Sequence, residues 1–360
     1  MEINSKRSAL SATTHIGALD GLRTYAAIGI VLLHVSMCVS IKPTDTYFTR
    51  VVIPDMIKFT SLYMIVSAFS LCCGYHERFK RGLITPNDFY RRRYQRILPF
   101  FACLCGLDFI ISPSMEQLYM LFANLTLCFS FIPNQDITMI GVGWFLGLIF
   151  VFYLLFPFYV FMLDNRRRGW FSFLISLSLA GLCTLYSFNE SVTTPNVGGK
   201  DIIYNMPLFI AGGMIYLYRD SVRMKGIRLH LWLLVSLCLS MSYSLFPFLN
   251  ESYFYTLVTN ICIFGFWLVY ALSSKDWILN NRLVRFLSTI SMEIYLSHML
   301  LFRLVEKFHL ERIIADVDLL FVVTFLLVLI GTIVFSYVMK QAILPNLTKG
   351  LSSLYHRCRR

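Results

Sequence analysis

Ten runs of predominantly apolar residues divide the 360-residue chain, at 23–41, 52–75, 97–112, 142–163, 170–187, 203–218, 231–248, 254–272, 287–305 and 317–338. Most approach the roughly 20 residues a helix needs to cross the hydrocarbon core of a bilayer. In lipid, only helices and closed barrels satisfy every backbone N–H and C=O. The runs are twice the length of a barrel strand, so they constrain the chain to an all-α fold. The expected architecture is a polytopic membrane helix bundle of about ten transmembrane helices. Composition agrees: 14% of residues are charged, where about 25% is usual for a soluble domain. Mean hydropathy is +0.65.

The formal net charge of +12 raises the question of nucleic acid, and its distribution answers it. Counting the ten runs as crossings and starting in the cytoplasm, 24 of the 32 Lys and Arg fall in cytoplasmic segments. Such a skew over short loops is the positive-inside pattern, which predicts both termini in the cytoplasm and leaves nucleic-acid binding without support. An eleventh apolar stretch, 118–132, has Asn124 and Thr126 at its centre. Counting it as a span would place Arg166, Arg167 and Arg168 outside, so it reads as re-entrant or interfacial.

The cysteines, among them Cys72, Cys73, Cys103, Cys105, Cys128 and Cys262, sit mostly inside apolar runs. Without metal-ligand spacing they read as small apolar fillers, and no metal site is expected. The N-terminal stretch lacks an h-region with a cleavage site, so the first run reads as an uncleaved anchor. Sequons at Asn124, Asn189, Asn250 and Asn346 carry little weight. The loop over 189–201 is turn-rich and too short for a second folded domain, which confines any site to the bundle and its two mouths.

Three constellations stand out. In LDGLRTYAAIGIVLLH (19–34), Arg23 and His34 are eleven residues apart. At 100° per residue they share one helix face, about 16 Å apart along the axis. Arg23 then sits at the cytoplasmic edge and His34 near mid-bilayer, where an ionisable residue faces the bundle interior or a watery cavity. In NDFYRRRYQRILPFF (87–101), Arg92, Arg93 and Arg96 fall on neighbouring helical positions. A topology anchor accounts for such a cluster; so does a mouth for polyphosphate, since guanidinium groups pair bidentately with phosphate. In STISMEIYLSHML (288–300), Ser291, Tyr295 and His298 form a polar stripe, with Glu293 on a different side. Interhelical hydrogen bonding and function are both open readings of the stripe.

These motifs together resemble the acyltransferase-3 family of integral membrane acyltransferases, in its stand-alone membrane form. LDGLR with His34 is similar to the first-helix signature, and IVSAF (65–69) to the second-helix Ser-Gly-Phe, with Ala68 in place of the glycine. FYRRRYQRILP (89–99) matches the third-helix entry, with Arg93, Arg96 and Pro99 in register. Trp144 opens the Trp-x-Leu helix, and ISMEIYLSH (290–298) matches the Ile-Tyr-Leu-x-His element. One departure is Ile149, where many members carry glutamate; Glu293 is the acid available to compensate.

The resemblance implies acyl transfer, usually of acetyl from acetyl-CoA, onto a carbohydrate hydroxyl outside or at the membrane. It divides the chain into a cytoplasmic N-terminal segment (1–21), a membrane acyltransferase domain (22–338) and a basic cytoplasmic tail (339–360). By position, Arg23 and His34 are the essential pair and Arg93 and Arg96 the basic motif. Ser67 and Phe69 belong to the second-helix motif. Joined to the spacing argument, Arg23, Arg92, Arg93 and Arg96 are expected to hold the phosphates of acyl-CoA. His34 is the expected general base. Ser67, Trp144, Glu293, Tyr295 and His298 are the expected supporting residues.

Acetyl-CoA or another acyl-CoA enters as donor substrate, with no bound cofactor expected. The expected partners are this donor, a carbohydrate or lipid-linked glycan acceptor and membrane lipid. The expected location is a bacterial inner membrane. A transporter or flippase for a lipid-linked glycan is the competing class, disfavoured by the lack of an internal repeat. A non-catalytic scaffold is the third, kept open by Ile149.

Overall fold

The computed structural model describes residues 16–131, 139–186, 200–242, 246 and 252–345. Most of the N-terminal segment, most of the 189–201 loop, the sequons at Asn189, Asn250 and Asn346, and the tail from 346 onward lie outside the described residues. All regular structure among the described residues is helical.

In chain order the helices are α1 (Gly17–Cys38), α2 (Phe48–Lys80), α3 (Pro86–Ile111) and α4 (Met115–Leu125). There follow α5 (Trp144–Met162), α6 (Arg166–Tyr186), α7 (Ile202–Tyr218) and α8 (Ile227–Ser240). The last are α9 (Tyr253–Ser273), α10 (Arg282–Thr289), α11 (Ser291–Glu306) and α12 (Val317–Ile343). Every expected apolar run overlaps a helix, but among the described residues only six helices are long and apolar enough to cross a membrane: α1, α2, α3, α5, α9 and α12. The 14 residues of α8 rise about 21 Å, short of a core about 30 Å thick. α6 spends its first turn on Arg166, Arg167 and Arg168. The run over 287–305 is divided at Ile290, whose φ of −116° and ψ of 12° leave the helical region. The described part of the 118–132 stretch, 118–131, also contains less helix than a span requires. α4 has 11 residues, and the chain then turns through Leu127 at φ +57°.

Local chemistry sets several boundaries. Thr85 caps α3, its hydroxyl accepting from the Asp88 backbone N–H at 3.1 Å, with Pro86 at the first helical position. α1 starts at Gly17, six residues before the expected start, so Asp20 and Arg23 both lie within the helix.

The core is aromatic. Phe89 of α3 stacks on Phe156 of α5, with centroids 5.2 Å apart at 20°. Phe152 of α5 stacks on Phe209 of α7 at 4.6 Å and 17°. Phe69, the second-helix motif residue, is fully buried and meets the Tyr216 ring edge-on at 6.4 Å. Cys72 and Cys105 are fully buried among these side chains, as expected for apolar fillers.

The tightest helix approach is α7 on α2. A Cβ at Gly212 would lie 2.2 Å from the Ile65 carbonyl oxygen and 2.9 Å from the Ala68 Cβ. Small residues let membrane helices pack backbone to backbone in this way. Ala68, which replaces the glycine of the family pattern, is thus itself part of that contact. Gly212→Ala is expected to push the helices apart and cost about 1–3 kcal/mol, an overpacking penalty. It should appear as a lower melting temperature of the detergent-solubilised protein; an unchanged melting temperature would show that the contact gives way freely.

Candidate active site

The break between α10 and α11 builds one wall of an open cavity of about 610 Å³, whose other walls come from α1, α2, α3 and α5. The Thr289 carbonyl at the break accepts from Lys340 Nζ of α12, and from Arg96 Nη2 at 3.4 Å. The Ser291 hydroxyl donates to the Ser288 carbonyl at 3.0 Å. A discontinuous helix within a bundle thus presents polar backbone and hydroxyl groups to an internal space without leaving its carbonyl groups unpaired.

Arginines dominate this space. Arg23, Arg93, Arg96 and Arg285 all line it. Arg23 is held from two sides: Nη2 donates to the Ser70 hydroxyl at 2.5 Å, and Nη1 lies 3.6 Å from Asp20 Oδ1. Asp20 is buried and also accepts from the Ser288 hydroxyl at 2.8 Å, which ties α1 to the end of α10. Gly21 lets the turn that precedes α10 approach α1, since a Cβ there would meet the Leu279 carbonyl oxygen at 2.6 Å.

Arg93 donates from Nη2 to the Tyr75 hydroxyl at 2.7 Å, and its guanidinium lies 5.0 Å from the Tyr75 ring centroid and 5.8 Å from that of Tyr153. Cation–π contacts hold the charge while leaving donors available. Its buried Nε has no hydrogen-bond partner among the described residues.

Arg96 bonds Glu293 Oε1 from Nη1 at 3.0 Å, and Lys340 Nζ is 3.5 Å from the same oxygen. Glu293 is 1% exposed. Its carboxylate is engaged by two cations on α3 and α12, which is where the structure places the acid that sequence reasoning offered as a substitute for glutamate at 149. Ile149 itself lines the cavity.

The expected residues therefore divide. Arg23, Arg93, Arg96, Ser67 and Tyr295 share the cavity wall. Arg92, the other arginine expected at the mouth, is exposed and does not line that wall. It is one position from Arg93, and 100° of helix rotation turns it off the inner face. Trp144 is also off the wall; its ring meets Phe145 edge-on at 5.7 Å, and Phe145 lines the cavity in its place. His34 and His298 lie beyond the cavity, ring centroids 5.0 Å apart.

Tyr63, Phe145 and Tyr295 line the cavity, and the Tyr295 ring also neighbours that of His298. Tyr63 donates to the Arg23 carbonyl at 2.8 Å and Tyr295 to the Val142 carbonyl at 2.9 Å. The Tyr295 ring is 6.3 Å from that of Tyr63 and 6.1 Å from that of His298. Arg23 and His34 are thus at two ends of one helix but in different surroundings.

The family model described as an acyltransferase domain matches residues 16–340. The chain belongs to the acyltransferase-3 family. It is a multi-pass integral membrane protein with the family's acyltransferase character, and the matched region contains every cavity residue named above. No curated protein and no solved structure matches this acyltransferase chain.

Sequence reasoning missed Asp20, Tyr63, Ser70, Tyr75, Tyr153, Arg285 and Ser288. Asp20 was within reach, three residues before Arg23 on the same helix, in ion-pair register. Arg285 entered only as a topology charge. The tyrosines carry no signal in one sequence, because a tyrosine in an apolar run looks the same in the core as in a cavity wall.

Proposed function

We propose that this acyltransferase takes an acyl group, acetyl in the first instance, from acyl-CoA. The phosphates sit in the arginine cavity, and the acyl group passes to a hydroxyl of a carbohydrate or lipid-linked glycan, with His34 as general base. The observation that carries the reading is the convergence of Arg23, Arg93, Arg96 and Arg285 on one cavity at the end of the helix that bears His34. Acyl-CoA is an anionic nucleotide joined to a long arm ending in a thioester, and the charge and the about 16 Å between Arg23 and His34 suit those two ends. An imidazole has an unperturbed pKa near 6.5 and can take a hydroxyl proton at neutral pH. In this reading both termini face the cytoplasm, the arginine cavity is the cytoplasmic mouth, and the ten apolar runs all cross or enter a bacterial inner membrane.

The test is direct. Purified protein in lipid nanodiscs should bind acetyl-CoA, more weakly as salt is raised, and transfer or hydrolyse its acetyl group. Movement of a lipid-linked glycan without acyl turnover would overturn the reading in favour of transport.

Glu293 supplies a second check. As the anchor of Arg96 it should act through donor binding. Glu293→Gln is expected to raise KM for acetyl-CoA a few-fold and to change kcat less. A fall in kcat at constant KM would instead place the carboxylate in the chemistry.

A further inference from the structure

The two imidazoles beyond the cavity are tied in the same way. His34 Nδ1 is 2.9 Å from the Ile30 carbonyl of its own helix, and His298 Nδ1 is 2.6 Å from that of Tyr295. A carbonyl oxygen only accepts, so in the neutral rings Nδ1 carries the proton and Nε2 is left as a bare acceptor. With Nδ1 held by its own helix, each ring has Nε2 as its remaining polar atom, and the two rings lie 5.0 Å apart between α1 and α11. His298 is fully buried, and its Nε2 has no hydrogen-bond partner among the described residues. Two bare acceptors do not bond each other. Such a pair calls for a ligand that brings two donors.

We infer that His298 binds the acceptor: its Nε2 receives a hydrogen bond from the hydroxyl next to the one His34 deprotonates, so that the acceptor is a vicinal diol of the kind a sugar ring carries. The inference rests on the function proposed above. In the step, His34 Nε2 takes the proton of the first hydroxyl and that oxygen bonds the thioester carbonyl carbon. The carbon–sulfur bond then breaks, and the thiolate leaves with the proton returned by His34. The second hydroxyl keeps its proton throughout and donates a hydrogen bond to His298 Nε2. A smaller cavity of about 280 Å³ lies at the opposite end of the same two helices from the arginines, lined by Val39, Phe302 and Val305. Phe302 is one helical turn past His298. Glu306 and Glu311, which also line this cavity, offer carboxylates for further sugar hydroxyls.

The experiment compares wild type with His298→Ala, and with His298→Gln, which retains an acceptor atom. Each is given acetyl-CoA with a methyl hexopyranoside, and with the same sugar deoxygenated at single positions; acetyl esters are counted by mass spectrometry. Wild type is expected to lose about tenfold or more in kcat/KM when the neighbouring hydroxyl is removed, because a buried acceptor is left unpaired. His298→Ala should lose about as much with the parent sugar and nothing further with the deoxy sugar, and His298→Gln should restore part of the discrimination. Equal losses on both sugars would overturn the inference and leave His298 a packing residue. Preference for an amino sugar would overturn the diol. Absence of transfer by wild type to any sugar, with acetyl-CoA bound, would overturn the functional reading beneath it.

Discussion

His34→Ala is expected to leave a folded, membrane-inserted protein whose acyl transfer falls by about 10²–10⁴, the usual contribution of a positioned general base. The fold should survive because the hydrogen bond that His34 makes runs to Ile30 on its own helix, so no tie between helices is lost. The substitution removes ring packing against His298, 5.0 Å away, and the buried Ala27 and Val31 on the same helix remain to hold α1 in place. His34→Gln separates size from basicity: it fills the space and cannot take a proton, so it should be as inactive as alanine. Acetyl-CoA binding should be unchanged in both, since His34 is not in the arginine cavity. The measurement is single-turnover acetyl transfer beside equilibrium binding, with size-exclusion profiles to verify folding. Normal transfer by either variant would remove His34 from the chemistry.

That split between binding and chemistry was only half legible in the sequence. Helix periodicity put Arg23 and His34 on one face, and the charge skew put the other arginines at one end. Both are properties of a single helix or a single loop. Which arginines turn inward depends on helix rotation against neighbours, and here neighbours decided. Arg93 is held inside by Tyr75 and Tyr153 from α2 and α5. Arg92, adjacent in sequence, faces away. Glu293 looked like a spare acid because nothing local names its partners, which come from 197 residues upstream and from the last helix. The break at Ile290 was hidden by an unbroken apolar run, since apolar composition reports burial in lipid and not continuity of the backbone. The ring cluster of Tyr63, Phe145 and Tyr295 has no sequence signal, because it is assembled from three helices.

Arg23→Ala should weaken acetyl-CoA binding by about 10–100-fold, as expected for loss of a charge-assisted hydrogen bond of roughly 1.5–3 kcal/mol. Two effects add. The phosphates lose a cation on the cavity wall, and Asp20, which loses the guanidinium 3.6 Å from its carboxylate, presents more negative charge to an anionic donor. Asp20→Asn in the Arg23→Ala background should therefore recover part of the affinity, even though it restores no cation. Arg23→Lys should bind better than Arg23→Ala but fall short of wild type, since an ammonium cannot serve both Ser70 and a phosphate with the planar fork of arginine. The measurement is equilibrium binding at two salt concentrations. The loss should be largest at low ionic strength, where the missing charge is least screened. Unchanged affinity in Arg23→Ala with an intact fold would reduce Arg23 to a tie between Asp20 and Ser70, and would leave Arg93, Arg96 and Arg285 to hold the donor without it.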